Sequence, residues 1–139
     1  MNKVLRLTSE NLAQLQEQTS HAFEHGNLIL ILCAAWCGTS TTFKSVANEL
    51  ALLFTNATFI WLDIEDDCTV AGEIDVANFP SIAVFRDGVP VHYGVSLPHQ
   101  GVVKRLLKAL LTNPIQQADV PEEVAELPQK LSSWVHAHA

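Results

Sequence analysis

Basic charge is scarce in this chain: eight Lys and Arg stand against fifteen Asp and Glu, a formal net charge of −7. That balance argues against a nucleic-acid partner, because phosphate binding needs a basic face. Long apolar runs are missing too. The longest, residues 28–35, falls far below the roughly 18 residues that cross a bilayer, so no membrane is expected. The start, Met1-Asn2-Lys3-Val4-Leu5-Arg6-Leu7, is too short and mixed for the apolar core of a signal peptide, and the expected location is the cytoplasm. Cysteine is rare as well. Three Cys, an odd number with no secretion signal, do not suggest a disulfide framework.

What is present is core material. Hydrophobic residues make up 48% of 139 residues and charged ones 17%, which predicts one packed domain and excludes a disordered chain. Val4, Leu5 and Leu7 suggest a short first strand, and Ser9 is a good N-cap for a helix with Leu12, Leu15 and Phe23 inward and Gly26 closing it. Residues 28–32 are unbroken apolar and of strand length, so both faces must be buried in a central strand. From Thr41 the period turns helical, with Phe43, Val46, Ala47, Leu50, Ala51 and Phe54 on one stripe. Residues 58–62 read as a second interior strand and 69–74 as a short helix. Strands at 81–86 and 89–93 meet at Asp87-Gly88, a strong hairpin signal, and Pro90 marks the second as an edge. A helix with Pro98 in its first turn follows, with Val102, Val103, Leu106, Leu107, Leu110 and Leu111 as its apolar face and Lys104, Arg105 and Lys108 as its wet one.

The order β-α-β-α-β-α-β-β-α predicts an α/β domain, a mixed sheet with helices on both sides. Its expected extent is 1–111, followed by a polar linker at 112–121 with two prolines and a helical extension at 122–139. In the extension Val124, Leu127, Leu131, Trp134 and Val135 form a stripe that Pro128 splits into two short helices. Packing on its own domain is the expected fate of that stripe; a homodimer or partner contact is the alternative.

The chemistry centres on Cys37, which falls between a buried strand and an amphipathic helix. The free amides and positive end of that helix stabilise a thiolate, the reactive form. Gly38 permits close approach of a partner sulfur and Trp36 supplies a flat apolar shoulder. On these facts alone a functional thiol and an inert buried cysteine stand level.

The run Ala34-Ala35-Trp36-Cys37-Gly38 resembles the thioredoxin active-site sequence Ala-x-Trp-Cys-Gly-Pro-Cys. The resemblance extends through Leu62-Asp63-Ile64-Glu65, Val76-Ala77-Asn78-Phe79-Pro80-Ser81 and Phe85-Arg86-Asp87-Gly88 to a final helix opening near Gly101, covering residues 3 to about 111. It implies the thioredoxin fold, with Cys37 as nucleophile and Pro80 as the family's cis-proline. Trp36, Gly38, Thr39, Phe79 and Pro80 would line a shallow groove where a protein partner binds as an extended peptide.

Three positions depart from the family. Ser40 replaces the second cysteine, which expels a bound substrate. Ile31 stands at the buried acid that helps deprotonate that second thiol, and Trp61 at a neighbouring lysine. The resemblance therefore implies a monothiol redox protein, forming mixed disulfides with protein or glutathione and weak as a disulfide reductase. A non-catalytic binding module or chaperone-like adaptor using the same groove is the second reading. Ser40 either donates a hydrogen bond to the Cys37 thiolate or caps the helix in solvent. Cys33 is expected as a small core residue rather than a resolving thiol, and Cys68 as a loop or helix-start residue. Cys37-Gly38-Thr39-Ser40 also resembles the Cys-Gly-Phe-Ser run of monothiol glutaredoxins, which hold an iron–sulfur cluster; the rest of the chain follows thioredoxin, so no cofactor is expected. No metal site is expected either, since the cysteines lack a close-spaced pair and His136 and His138 stand alone.

Overall fold

The computed structural model describes residues 4–19, 26–33, 38–63, 81–95 and 99–138. Its centre is strand β2 (Asn27–Cys33), in which every residue from Leu28 to Cys33 is buried. Neighbours on both sides account for that: the sheet runs β1-β3-β2-β4-β5, with β1 at Val4–Arg6, β3 at Ala57–Asp63, β4 at Ser81–Arg86 and β5 at Val89–Val95. β3 lies parallel to both β1 and β2, whereas β4 is antiparallel to both β2 and β5.

Alternation along β2 divides the core into two layers. Leu28, Leu30 and Leu32 join Ile60, Leu62 and Phe85 beneath helix α1 (Leu12–Thr19), whose Leu15 is fully buried. Ile29, Ile31 and Cys33 join Phe59, Trp61 and Val84 beneath α2 (Gly38–Leu53) and α3 (Gln100–Thr112). Those two helices deliver Phe43, Ala47, Leu50, Val103 and Leu107 from the stripes expected of them, but Val102, expected on the apolar face, is 43% exposed because it lies to one side of the Val103–Leu107–Leu111 line. The helix expected at 69–74 lies outside the described residues. Among the described residues no helix is long and apolar enough to cross a membrane.

The hairpin signal is realised in full. Asp87 and Gly88 both have positive φ, 53° and 80°, the backbone of a type I′ turn whose twist matches that of the strands. Asp87 also ties the turn to the start of β2: its Oδ1 accepts from Gly26 N at 2.8 Å, and its N–H donates to Gly26 O at 2.9 Å. Pro90 sits on the outermost strand as expected, next to a register shift at Val84/Phe85. The ladder there has no donor from proline, and a bulge absorbs the loss.

Three local expectations need correction. The first turn after Ser9 is a 3-10 segment, Ser9–Asn11, before α1 proper. β5 continues two residues past Tyr93, because Gly94 and Val95 still find partners in Ile82 and Ser81. The helix expected to hold Pro98 in its first turn, α3, starts at Gln100 after His99 in extended conformation (φ −118°, ψ 119°), and Pro98 itself lies outside the described residues.

The C-terminal stripe packs on its own sheet. Arg86 Nη1 donates to the carbonyls of Leu110 (3.0 Å) and Asn113, closing the end of α3. The chain then passes the β5 edge, where Ala118 N donates to Pro90 O at 2.8 Å. On the far face it forms α4 (Glu122–Ala125) and α5 (Leu127–His138). Pro128 stands in the first turn of α5, where its missing N–H costs nothing, and the break falls at Glu126. Val124, Leu127, Leu131 and Val135 are buried with Leu5, Leu15 and Phe85. Leu131→Ala should therefore cost about 2–5 kcal/mol in urea unfolding, while exposed Val102→Ala should stay within about 0.5 kcal/mol.

Candidate functional site

The sheet register gathers four chain ends at one edge. Leu32 stands opposite Ser81, so β4 begins where β2 ends. Ser81 stands opposite Val95, which brings the end of β5 to the same edge. Cys33 stands opposite Asp63, which adds the end of β3. Helix α2 starts from this edge at Gly38, five residues beyond the last residue of β2.

Of the residues singled out in the sequence, Trp36, Cys37, Phe79 and Pro80 lie outside the described residues, as does Cys68. Their neighbours in the chain are described. Gly38, immediately after Cys37, is the first helical residue, and Thr39 and Ser40 continue the turn. Ser81, immediately after Pro80, opens β4. The first turn of α2 carries no acidic residue. Its unpaired amides and partial positive charge are thus not offset by a carboxylate on the same turn.

Beneath this turn the sheet is apolar where a proton-handling pair would stand. Ile31 and Trp61 are register partners, 1% and 7% exposed, and face the α2 layer together. A lone carboxylate at Ile31 would be desolvated by this packing, and nothing in the Ile31–Trp61 pair would compensate it. Cys33 occupies the core as expected: it is fully buried, and its Sγ donates to Leu62 O at 3.4 Å. One residue escaped the sequence reading. Asp63 is only 2% exposed at the end of β3, beside Cys33. The available signal was its parity with Phe59 and Trp61, which places it on the same buried face.

His92 on β5 is half-buried, and composition did not reveal the burial of its ring nitrogen. Its ring lies against Gly94, with Nε2 3.8 Å from where a Cβ would stand. Nε2 is buried and has no hydrogen-bond partner among the described residues. A cleft of about 660 Å³ between the Asp87–Gly88 turn and α5 lies at the opposite end of β4 from Ser81, and so is separate from this site. Among the described residues no group of three or more His, Cys, Asp or Glu is placed to hold a metal. His136 and His138 each turn Nδ1 to a carbonyl of their own helix, and His138 stacks on Trp134 at 4.1 Å.

Burial pulls the His92 pKa below its ordinary value of 6.5, because desolvation disfavours the imidazolium. As pH falls the unfolded chain takes up this proton first. The stability contributed by neutral His92 is therefore complete above about pH 6.5 and is lost as pH falls through the lower folded value. His92→Leu should flatten the fall in Tm between pH 7.5 and 5.5; an unchanged slope would remove His92 from this account.

The comparisons with known proteins agree with this geometry. The family model for Thioredoxin matches residues 4–108. A thioredoxin of Mycoplasma genitalium is 34% identical over 83 residues, 57% of this chain and 74% of the relative. The thioredoxin-like protein CXXS2 of Arabidopsis thaliana is 28% identical over 74 residues, 52% of this chain but only 48% of that protein. The crystal structure of oxidised thioredoxin O2 from Arabidopsis thaliana superposes with a TM-score of 0.61 at 21% identity, over 80% of this chain and 96% of that one. With its family pattern, its sheet order and its helix starting at Gly38 in agreement, the chain belongs to the thioredoxin family of redox proteins.

Proposed function

We propose that the chain is a monothiol member of that family, in which the Cys37 thiolate attacks a disulfide of a protein partner or of oxidised glutathione, keeps one sulfur as a mixed disulfide while the other leaves as a thiolate, and is released by an outside thiol. The observation that carries this reading is the Ile31–Trp61 pair. A dithiol enzyme needs a second thiol and a base to activate it. Here Ser40 takes the place of the thiol, and an aliphatic and an aromatic side chain, packed as register partners, take the place of the ionisable pair. The losses belong to one half-reaction.

The attacking half needs only a thiolate and access. Cys37 directly precedes the first turn of α2, whose amides favour the anion. In this reading Trp36, Gly38, Thr39 and Phe79, with Pro80 as a cis-proline, form the groove for an extended peptide, and Ser40 donates a hydrogen bond to the thiolate. The Arabidopsis relative supports it: the name CXXS describes a cysteine and a serine separated by two residues, as Cys37 and Ser40 are. The redox unit is then 1–111, with 112–121 a linker and 122–139 an extension that completes the sheet's cover, in keeping with the buried Leu127, Leu131 and Val135.

The test is the rate of Cys37 alkylation as a function of pH, with Cys33→Ser and Cys68→Ser variants to isolate the signal. An apparent pKa well below the free-thiol value of about 8.5 is expected, together with a trapped glutathione adduct. A value of about 8.5 without any adduct would overturn the redox reading and leave the groove as that of a binding module.

A further inference from the structure

The helices on the two faces of the sheet carry opposite charge. On one face, α2 and α3 expose Lys44, Lys104, Arg105 and Lys108 against a single acid, Glu49. On the other, the 3-10 segment, α1, α4 and α5 with the Glu126 junction carry Glu10, Glu17, Glu122, Glu123 and Glu126 against Lys130 alone. Three of the chain's eight Lys and Arg thus fall within five residues of α3, a helix with no acidic residue. Among the described residues Lys104, Arg105 and Lys108 form no ion pair, although the chain has fifteen acids; the Arg105 Nε donates only to Gly101 O of its own helix.

This basic strip starts at the functional edge. β5 ends there at Val95, opposite Ser81, and α3 begins five residues later at Gln100. Val102, in the first turn of α3, is 43% exposed and Val95 57%, so apolar surface lies at the head of the strip.

We infer that α3 is a docking strip for the acidic flank of a protein partner whose disulfide is presented to Cys37; the inference rests on the monothiol reading and specifies the partner's class. Length and charge select this occupant. From Gly101 to Lys108 an α-helix rises about 10 Å, the span of three or four residues of extended peptide. A membrane or a nucleic acid would extend its negative charge well beyond that strip and be repelled by a chain whose net charge is −7. An acidic peptide gains from three cations within a Debye length, about 8 Å at physiological salt, and is repelled from the wrong face.

The experiment uses the full chain and two synthetic peptides, identical except that three Glu or three Lys flank one cysteine, each activated as a mixed disulfide with thionitrobenzoate. The Cys37 thiolate attacks the peptide sulfur. A new S–S bond forms, the old one breaks, and its electron pair leaves on thionitrobenzoate, which is read by its colour. The acidic peptide should react about tenfold faster at low salt, with the difference gone near 1 M salt, where the Debye length is about 3 Å. Lys104→Gln/Arg105→Gln/Lys108→Gln should abolish the preference. Gln14→Glu/Gln16→Glu/Gln129→Glu changes net charge equally on exposed positions of the other face and should preserve it. Both variants should react with neutral dipyridyl disulfide like the parent. If dipyridyl disulfide fails with all three, the monothiol reading falls, and docking is read from the fluorescence anisotropy of the unactivated acidic peptide. Equal rates, or equal anisotropy, for the two peptides would overturn the strip, as would tighter binding to anionic phosphatidylserine vesicles.

Discussion

The arrangement depends on β2 being buried on both faces and paired on both edges. A strand in that position has no freedom of register, because a one-residue slip would exchange Ile29, Ile31 and Cys33 with Leu30 and Leu32 between two layers of different shape. Its parallel partner β3 and antiparallel partner β4 then fix the edge from which α2 departs and at which β4 begins. A helix N-terminus and the start of an antiparallel strand are brought together by backbone pairing alone. The side chains between them can change without loss of the scaffold, as Ser40, Ile31 and Trp61 illustrate.

Those three positions make sense as a set. A buried carboxylate is retained only where its ionised form has work to do, since desolvation costs several kcal/mol. In the monothiol reading there is no second thiol to deprotonate, and the buried Ile31–Trp61 pair contributes packing. The extension adds stability by another route. Instead of projecting to meet a second copy, Leu127, Leu131 and Val135 close over the leucine layer of β2, and the linker shields part of the β5 edge through Ala118.

Elements specified by short-range chemistry were legible in the sequence. The apolar runs of β2 and β3, the Asp87-Gly88 turn and the edge position of Pro90 all follow from rules that act within a few residues. The burial of Asp63 and of the His92 Nε2 was not legible, because it depends on which strand lies alongside and what covers it. The same holds for the late start of α3, since β5 extends as far as Ser81 offers it a partner. The departure of Ile31 and Trp61 from the family pattern could be read in advance, but their being register partners could not. The opposed charge of the two faces was equally hidden, because composition reports only the sum.

The central claim is that this chain holds a partner rather than turning it over, and the lifetime of a mixed disulfide tests it most directly. A peptide joined to Cys37 and freed of all small thiols should persist for hours by intact mass, and Ser40→Cys should release it far faster by supplying the missing attack. Prompt release from the unaltered chain would contradict the account, for it would show that a resolving thiol is present after all.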